Sequence, residues 1–256
     1  VTLENHLVAR RRGDETVLAH ACASSPLRLV RPTFPSRACS VCLVTFGGGL
    51  VDGDAIDVKL DVEPGATLVV FTQASTKVFR GTSRQTIRAE VHGTLVLLPD
   101  PVSCFAGARY TQRVDVALAG DGGCVLLDAF TSGRPAFGER WAFDRIDLRT
   151  TVSRGKKLVA RDALVLDSAD GDIARRMGRF EAFATILSIG SEVDAVTRAI
   201  EDQDHDDDCV VARSALADGA CLRIAATSPA AVIAAARRAL GNLPDIDAVD
   251  PFASRH

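Results

Sequence analysis

Asp52, Asp54, Asp100 and Glu139 are carboxylates set among glycines and prolines, and Thr72, Ser75, Lys77, Tyr110 and Arg134 lie close by in the sequence. Side chains of these types can share a proton in acid–base work, or pass a divalent cation between oxygen ligands. They fall in four polar islands: Gly47–Asp54 (GGGLVDGD), Thr72–Gly81 (TQASTKVFRG), Leu98–Gln112 (LPDPVSCFAGARYTQ) and Ser132–Trp141 (SGRPAFGERW). Each island sits in or beside alternating apolar stretches. None matches a motif for nucleophilic, phosphate-binding or zinc chemistry, and the pattern is one of binding and handling rather than catalysis.

The glycines of the first island could bring a backbone close to phosphate. A dinucleotide fingerprint, however, requires a helix directly after them, and here a strand follows; Gly-Lys-Ser/Thr is absent everywhere. Tight turns at positive φ account for Gly47–Gly49 and Gly53. The nearness of Asp52 and Asp54 stays open between turn residues and a metal or partner role. Ser75 and Thr76 beside Lys77 and Arg80 suit a protein contact or a polar cavity as well as an ordinary loop. No carboxylate or histidine adjoins them and Gly-x-Ser-x-Gly is missing, which disfavours a serine hydrolase. Asp100, between Pro99 and Pro101, can cap a turn. Tyr110, the sole tyrosine, stands with Phe105 and Gln112 beside a loop and reads as a buried ring whose hydroxyl finds a partner. Arg134 and Glu139 can pair across a Gly-bounded turn, either as a structural ion pair or as the lining of a cation path.

His6, His20, His92, His205 and His256 show no His-x-x-x-His or Glu-x-x-His spacing, so a preassembled catalytic metal site is not expected. His205 within Asp204–Asp208 reads as a solvated loop. The seven cysteines are scattered among valines and alanines, as reduced buried thiols of a cytoplasmic protein would be. Cys39-Ser-Val-Cys42 lacks a second pair, and three steps along a strand put its thiols on opposite faces.

With 256 residues, 47% of them hydrophobic, the chain can bury a sizeable core. Its net charge of −3 carries no footprint for nucleic acid. No apolar run approaches the roughly 20 residues that span a bilayer, and no signal peptide or membrane anchor is visible.

From Thr16 to about Val165 strand follows strand. Asp57–Glu63 alternates strictly and turns at Pro64-Gly65 into Ala66–Thr72, and Thr86–His92 turns at Gly93 into Thr94–Leu98. Both read as hairpins. Arg113–Leu118, Cys124–Phe130, Trp141–Val152 and Lys157–Leu166 continue the series. The expected fold is mainly β, with stacked or sandwiched sheets or a helically wound, β-solenoid-like arrangement. Residues 1–167 form a β-rich core domain and residues 168–256 a C-terminal α/β segment packed on it. That segment has a strand at Phe180–Ile189, a helix capped by Ser191-Glu-Val-Asp194, a strand pair at Cys209–Ser214 and Cys221–Thr227, and a helix from Ser228-Pro229 to Gly241, with a loose tail from Pro244.

In this order, Leu27-Arg-Leu-Val-Arg-Pro32, Gly48-Gly-Leu-Val-Asp-Gly-Asp54, Thr72–Arg80, Leu98-Pro-Asp-Pro101 with Phe105-Ala-Gly-Ala-Arg-Tyr110, and Ser132-Gly-Arg-Pro-Ala-Phe-Gly-Glu139 resemble the urease accessory protein D family, also called H in some bacteria. Asp52 stands where many relatives carry glycine, Phe79 where tyrosine is frequent, and Ser103-Cys104 where an apolar residue and proline are common. The resemblance implies a β-rich, helically wound protein without catalysis of its own. It further implies binding to apo-urease and to the helical accessory protein F, through which the GTPase accessory protein G is recruited; a homodimer within that complex is among the arrangements it allows. Ni²⁺ would pass transiently, with no cofactor held tightly. On this reading Asp52, Asp54, Asp100 and Glu139 serve nickel passage, and Thr72, Ser75, Lys77, Tyr110 and Arg134 line a channel or contact partners. Two other readings are a β-rich enzyme using Asp52 or Asp54 with Glu139 for acid–base chemistry, and an assembly protein that contributes surfaces only.

Overall fold

Strict alternation along one set of strands and apolarity on both faces of another call for two different sheets, one half-solvated and one covered on both sides. A computed structural model describes residues 5–32, 36–201, 208–241 and 243. Asp204–Asp207, including His205, and the Pro244 tail with His256 lie outside the described residues. The strands are β1 (Asn5–Arg12), β2 (Glu15–Cys22), β3 (Leu27–Val30), β4 (Cys39–Thr45), β5 (Ala55–Val62), β6 (Thr67–Thr72), β7 (Thr76–Val78), β8 (Gly81–Val91), β9 (Thr94–Leu98) and β10 (Val102–Cys104). They continue as β11 (Ala108–Leu118), β12 (Gly123–Thr131), β13 (Gly133–Arg134), β14 (Glu139–Arg140), β15 (Arg145–Arg154), β16 (Lys157–Asp167), β17 (Ala182–Ile189), β18 (Cys209–Leu216) and β19 (Gly219–Ala226). The helices are α1 (Ile173–Met177), α2 (Asp194–Glu201) and α3 (Pro229–Leu240). None is long and apolar enough to cross a membrane.

One sheet runs β16-β15-β11-β8-β5-β1-β2 and the other β18-β19-β17-β12-β9-β6-β4-β3, with β10 joining β12 and β7 at the side. Strands β5, β8, β11 and β15 are parallel in the first, and β4, β6, β9 and β12 are parallel in the second. The chain thus winds as a coil, one strand in each sheet per turn. The fold is mainly β and solenoid-like, with a C-terminal α/β part. Its strands extend the second sheet, through β17 on β12 and β19 on β17. Leu7, Leu60, Leu68, Leu95 and Leu126 fill the space between the sheets, while Val69, Val96 and Ile186 on the far face of the second sheet pack with Val196 of α2 and Val232 of α3. Cys39 belongs to the first of these cores and Cys42 to the second, so the two thiols face opposite ways.

The two expected hairpins are not hairpins. β5 and β6 lie in different sheets, as do β8 and β9, and each pair is joined by an arc from one sheet to the other. A hairpin and an arc share the same local signals, alternation followed by a turn. Burial separates them: β5 alternates between buried and open positions, whereas five of the six residues of β6 are buried, so neighbours in one sheet could not satisfy both. The arcs also stack on one another. A Cβ at Gly93 would stand 2.2 Å from the Ala66 carbonyl oxygen and 2.6 Å from that of Glu63.

Other boundaries shift. Trp141 is not in a strand; it takes φ 54°, is buried, and donates from Nε1 to the Phe180 carbonyl at 3.2 Å, with β15 starting only at Arg145. Ser191 does not form the capping box. Gly190 precedes a 3₁₀ turn, Ser191–Val193, with no side-chain cap, and α2 follows from Asp194. The short helix α1, with Asp172 as its cap, adds a third helix to the expected two. At α3 the cap is as read from the sequence: Ser228 Oγ accepts from the Ala231 N–H at 3.2 Å, and Pro229 opens the helix.

Replacing Gly93 with alanine should force the stacked arcs apart and cost about 2 kcal/mol or more. Thermal unfolding of the variant checks this, and an unchanged Tm would contradict the stacked-arc account.

Candidate functional site

A coil of this kind needs two sorts of connection, and the four polar islands are all of one sort. Gly47–Asp54 joins β4 to β5, Thr72–Gly81 joins β6 to β8, Pro99–Gly107 joins β9 to β11, and Ser132–Asp144 joins β12 to β15; each returns the chain from the second sheet to the first. They stack in that order at one end of the coil. Leu50 bridges Val78, β7 pairs with β10, the Phe105 N–H donates to the Val78 carbonyl at 2.9 Å, and the Gly107 N–H donates to the Ala142 carbonyl at 3.1 Å.

Behind these loops a cleft of about 170 Å³ opens between the sheets, lined by Gly48, Thr72, Ser75, Thr76, Lys77 and Gln85. It shares Thr72, Thr76 and Gln85 with an inner space of about 20 Å³, which Asp100 and Gln112 also line. That inner space has room for a water molecule. Thr72 Oγ1 donates to Asp100 Oδ2 at 3.0 Å and accepts from the Asp100 N–H at 2.7 Å. The Tyr110 hydroxyl, fully buried, points at Gln85 Oε1 and Gln112 Oε1, 3.1 and 3.0 Å away. Gln112 Nε2 donates to Asp128 Oδ1 at 3.0 Å. Beyond Asp128 the facing residues on β17 and β19 are Thr185 and Arg223, and Arg223 pairs with Asp162 of the first sheet. A polar seam thus runs between the sheets from the cleft at Ser75 to the exposed Arg223.

Asp128 is half-buried between the two sheets, with protein packed around its carboxyl. That enclosure pushes its carboxyl up to about 6; the Gln112 hydrogen bond opposes the rise and the Asp162 charge adds to it. Burial likewise holds the Tyr110 hydroxyl well above the usual phenol range. Among the described residues no three His, Cys, Asp or Glu side chains close a group that would hold a metal.

Of the residues singled out in the sequence, Thr72, Ser75, Lys77, Asp100 and Tyr110 come together along the seam. Asp52, Asp54, Arg134 and Glu139 do not. Asp52 Oδ1 accepts from the Thr82 N–H at 2.7 Å and Asp54 Oδ2 from the Val51 N–H at 2.8 Å, so both shape the turn. A Cβ at Gly81, where φ is +113°, would meet the Asp52 Cβ at 2.4 Å. Arg134 holds Glu139 in a two-pronged pair at 2.8 and 2.6 Å while its guanidinium lies 4.0 Å over the Phe105 ring. That pair holds the Glu139 carboxyl below the usual range. None of the described cavities is lined by Asp52, Asp54 or Glu139. Gln85, Asp128, Asp162 and Arg223 were not singled out. Each is polar at an inward position of an otherwise apolar pattern, as in Cys124-Val-Leu-Leu-Asp128, and that break was the available signal.

Residues 4–248 match a family model described as UreD urease accessory protein. A Sorangium cellulosum protein named urease accessory protein UreD is 45% identical over 97% of this chain and 83% of its own length. One of the same name from Anaeromyxobacter is 36% identical over 96% of this chain and 86% of its own. The Arabidopsis thaliana protein named urease accessory protein D is 29% identical over 77% of this chain and 71% of its own.

Because the Asp128 carboxyl titrates at about 6 and an unfolded aspartate near 4, the folded chain keeps a proton in that window that the unfolded chain has lost, and stability falls as pH rises through it. Asp128→Asn keeps the acceptor for Gln112. It should change stability little below about pH 4 and raise it by roughly 2–3 kcal/mol above about pH 6. Urea unfolding across that range checks the sign, and a gap independent of pH would contradict it.

Proposed function

This chain belongs to the UreD urease accessory protein family, and from that premise we propose that it is a non-catalytic scaffold of urease maturation that lets Ni²⁺ pass along the seam between its sheets. The polar seam carries the reading. A conduit must take up a divalent ion and let it go again, which favours spaced oxygen donors over one closed site. Thr72 with Asp100, then Gln112 with Asp128, then Asp162, offer oxygens in succession, and Arg223 at the far end supplies a cation that competes for Asp162. Lys77 and Ser75 stand at the mouth.

In this reading apo-urease and the helical accessory protein F bind the chain in the cytoplasm, F brings in the GTPase accessory protein G, and a homodimer of the chain within that assembly is compatible with it. Exposed Phe46, Val51 and Phe137 on the return loops suit contact with another protein near the mouth. Asp52, Asp54 and the Arg134–Glu139 pair then act by shaping those loops rather than by touching the ion.

Asp100→Asn together with Asp128→Asn removes two seam charges and keeps their hydrogen-bond acceptors. Urease co-expressed with this variant should emerge with little more nickel than urease made without the chain, although the variant still co-purifies with urease and F. Full nickel loading would remove the conduit and leave the scaffold alone, and loss of co-purification would place the effect in assembly instead.

A further inference from the structure

The outer face of the seven-stranded sheet has no described element packed on it, and its charge is unevenly spread. Val58, Ile87, Val114, Val116, Ile146 and Leu148 turn inward to the core, so the residues between them on β5, β8, β11 and β15 point to solvent. The register sets Arg109 beside Arg145, Arg113 beside Arg149 and Lys59 beside Arg88, with Arg84 beside Thr111 and Arg161 beside Thr151. These eight cations share four successive rows with four carboxylates, Asp57, Asp115, Asp147 and Asp167. The chain as a whole carries a net charge of −3, so this excess is local. In the next row Asp61 and Glu90 reverse the sign and bound the patch.

The four carboxylates do not use up the donors around them. Buried Asp147 takes Arg113, Arg145 and Arg149 together, at 3.0, 3.2 and 3.0 Å. Asp57 takes Arg84 in a two-pronged pair at 3.1 and 3.0 Å and lies 3.9 Å from Arg88. Each guanidinium carries five N–H groups, so donors remain over for an incoming acceptor. Arg109 and Arg161, both exposed, enter no ion pair among the described residues.

We propose that this face docks a carboxylate-rich segment of a partner protein. Charge complementarity selects that occupant, because an excess of planar guanidinium forks fits carboxylates in two-pronged pairs. Nucleic acid fits the face less well. Asp57, Asp115 and Asp147 interrupt the track that a continuous phosphate backbone would follow, and no aromatic ring points outward from β8, β11 or β15 for a base to stack on. Four rows along the strands and five strands across make a patch of about 20 Å each way, room for about six extended residues. Alongside lies a groove of about 530 Å³ lined by Lys59, Arg88, Ala117, Thr151 and Ser153, where the side chains of β11 and β15 are short. Glu90 and Asp115 line it too and repel a segment whose carboxylates fall out of step with the cations, which sets its register. The surface goes beyond the passage reading and shares no residue with the seam.

The test is fluorescence polarisation of a labelled decaglutamate peptide with the full chain at low salt, beside a decaglutamine peptide and a thymidine decamer of DNA. The unaltered chain should bind decaglutamate about tenfold or more tightly than either of the others, and added salt should weaken that binding. Arg109→Glu/Arg161→Glu breaks no described ion pair and should weaken it by about tenfold or more, whereas Arg109→Lys/Arg161→Lys should stay within about threefold of the unaltered chain. Arg198→Glu/Arg238→Glu makes the same change of net charge on α2 and α3, across the molecule, and should leave binding as it was. If circular dichroism shows the first reversal to be misfolded, Arg109→Gln/Arg161→Gln supplies the same comparison. No binding of decaglutamate by the unaltered chain overturns the proposal, as does equal weakening in the two reversals or tighter binding of the DNA decamer. Urease takes no part in the measurement, so its result stands apart from that of the nickel-passage test.

Discussion

Hydrogen bonding between successive turns of the coil is the constraint on which the rest of this structure depends. Each turn sits one strand spacing, about 4.8 Å, above the last, and the arcs and return loops must stack as closely as the strands do. Gly93 shows how little room this leaves, since the backbone of the arc below occupies the space a side chain would need. The same stacking forces all four return loops to one end. Polar residues separated by some ninety positions in the chain, from Gly47 to Glu139, become layers of one surface.

The two sheets divide the work. The first is half-solvated, with its outer face laced by ion pairs such as Arg113 and Arg149 on Asp147. The second is buried on both sides, between the first sheet and helices α2 and α3. A polar seam through such an interior is costly, because enclosed carboxylates and hydroxyls give up water. Asp128 shows the cost in its raised proton affinity, and the chain meets part of it with the Gln85–Tyr110–Gln112–Asp128 hydrogen-bond series. On the proposed conduit reading these polar groups serve passage rather than stability.

The site was partly legible. Thr72, Ser75, Lys77, Asp100 and Tyr110 lie in the islands, where loss of the apolar pattern marks them out. Asp128 and Arg223 were hidden because a single polar residue inside a strand looks like an ordinary outward position until the register shows that it points inward. For Asp52 and Asp54 the sequence left turn and metal roles open, and the structure shows each carboxylate accepting from a backbone N–H of the turn.

By itself the sequence determined the mainly β character, the α3 cap and the islands, because alternation, turn residues and capping groups act over a few residues. Tertiary structure alone decided that the hairpins are arcs, that the islands form one end, and which polar side chains face the seam. Those outcomes depend on which strand lies beside which, and pairing energy between distant segments leaves no mark in the spacing of neighbours along the chain.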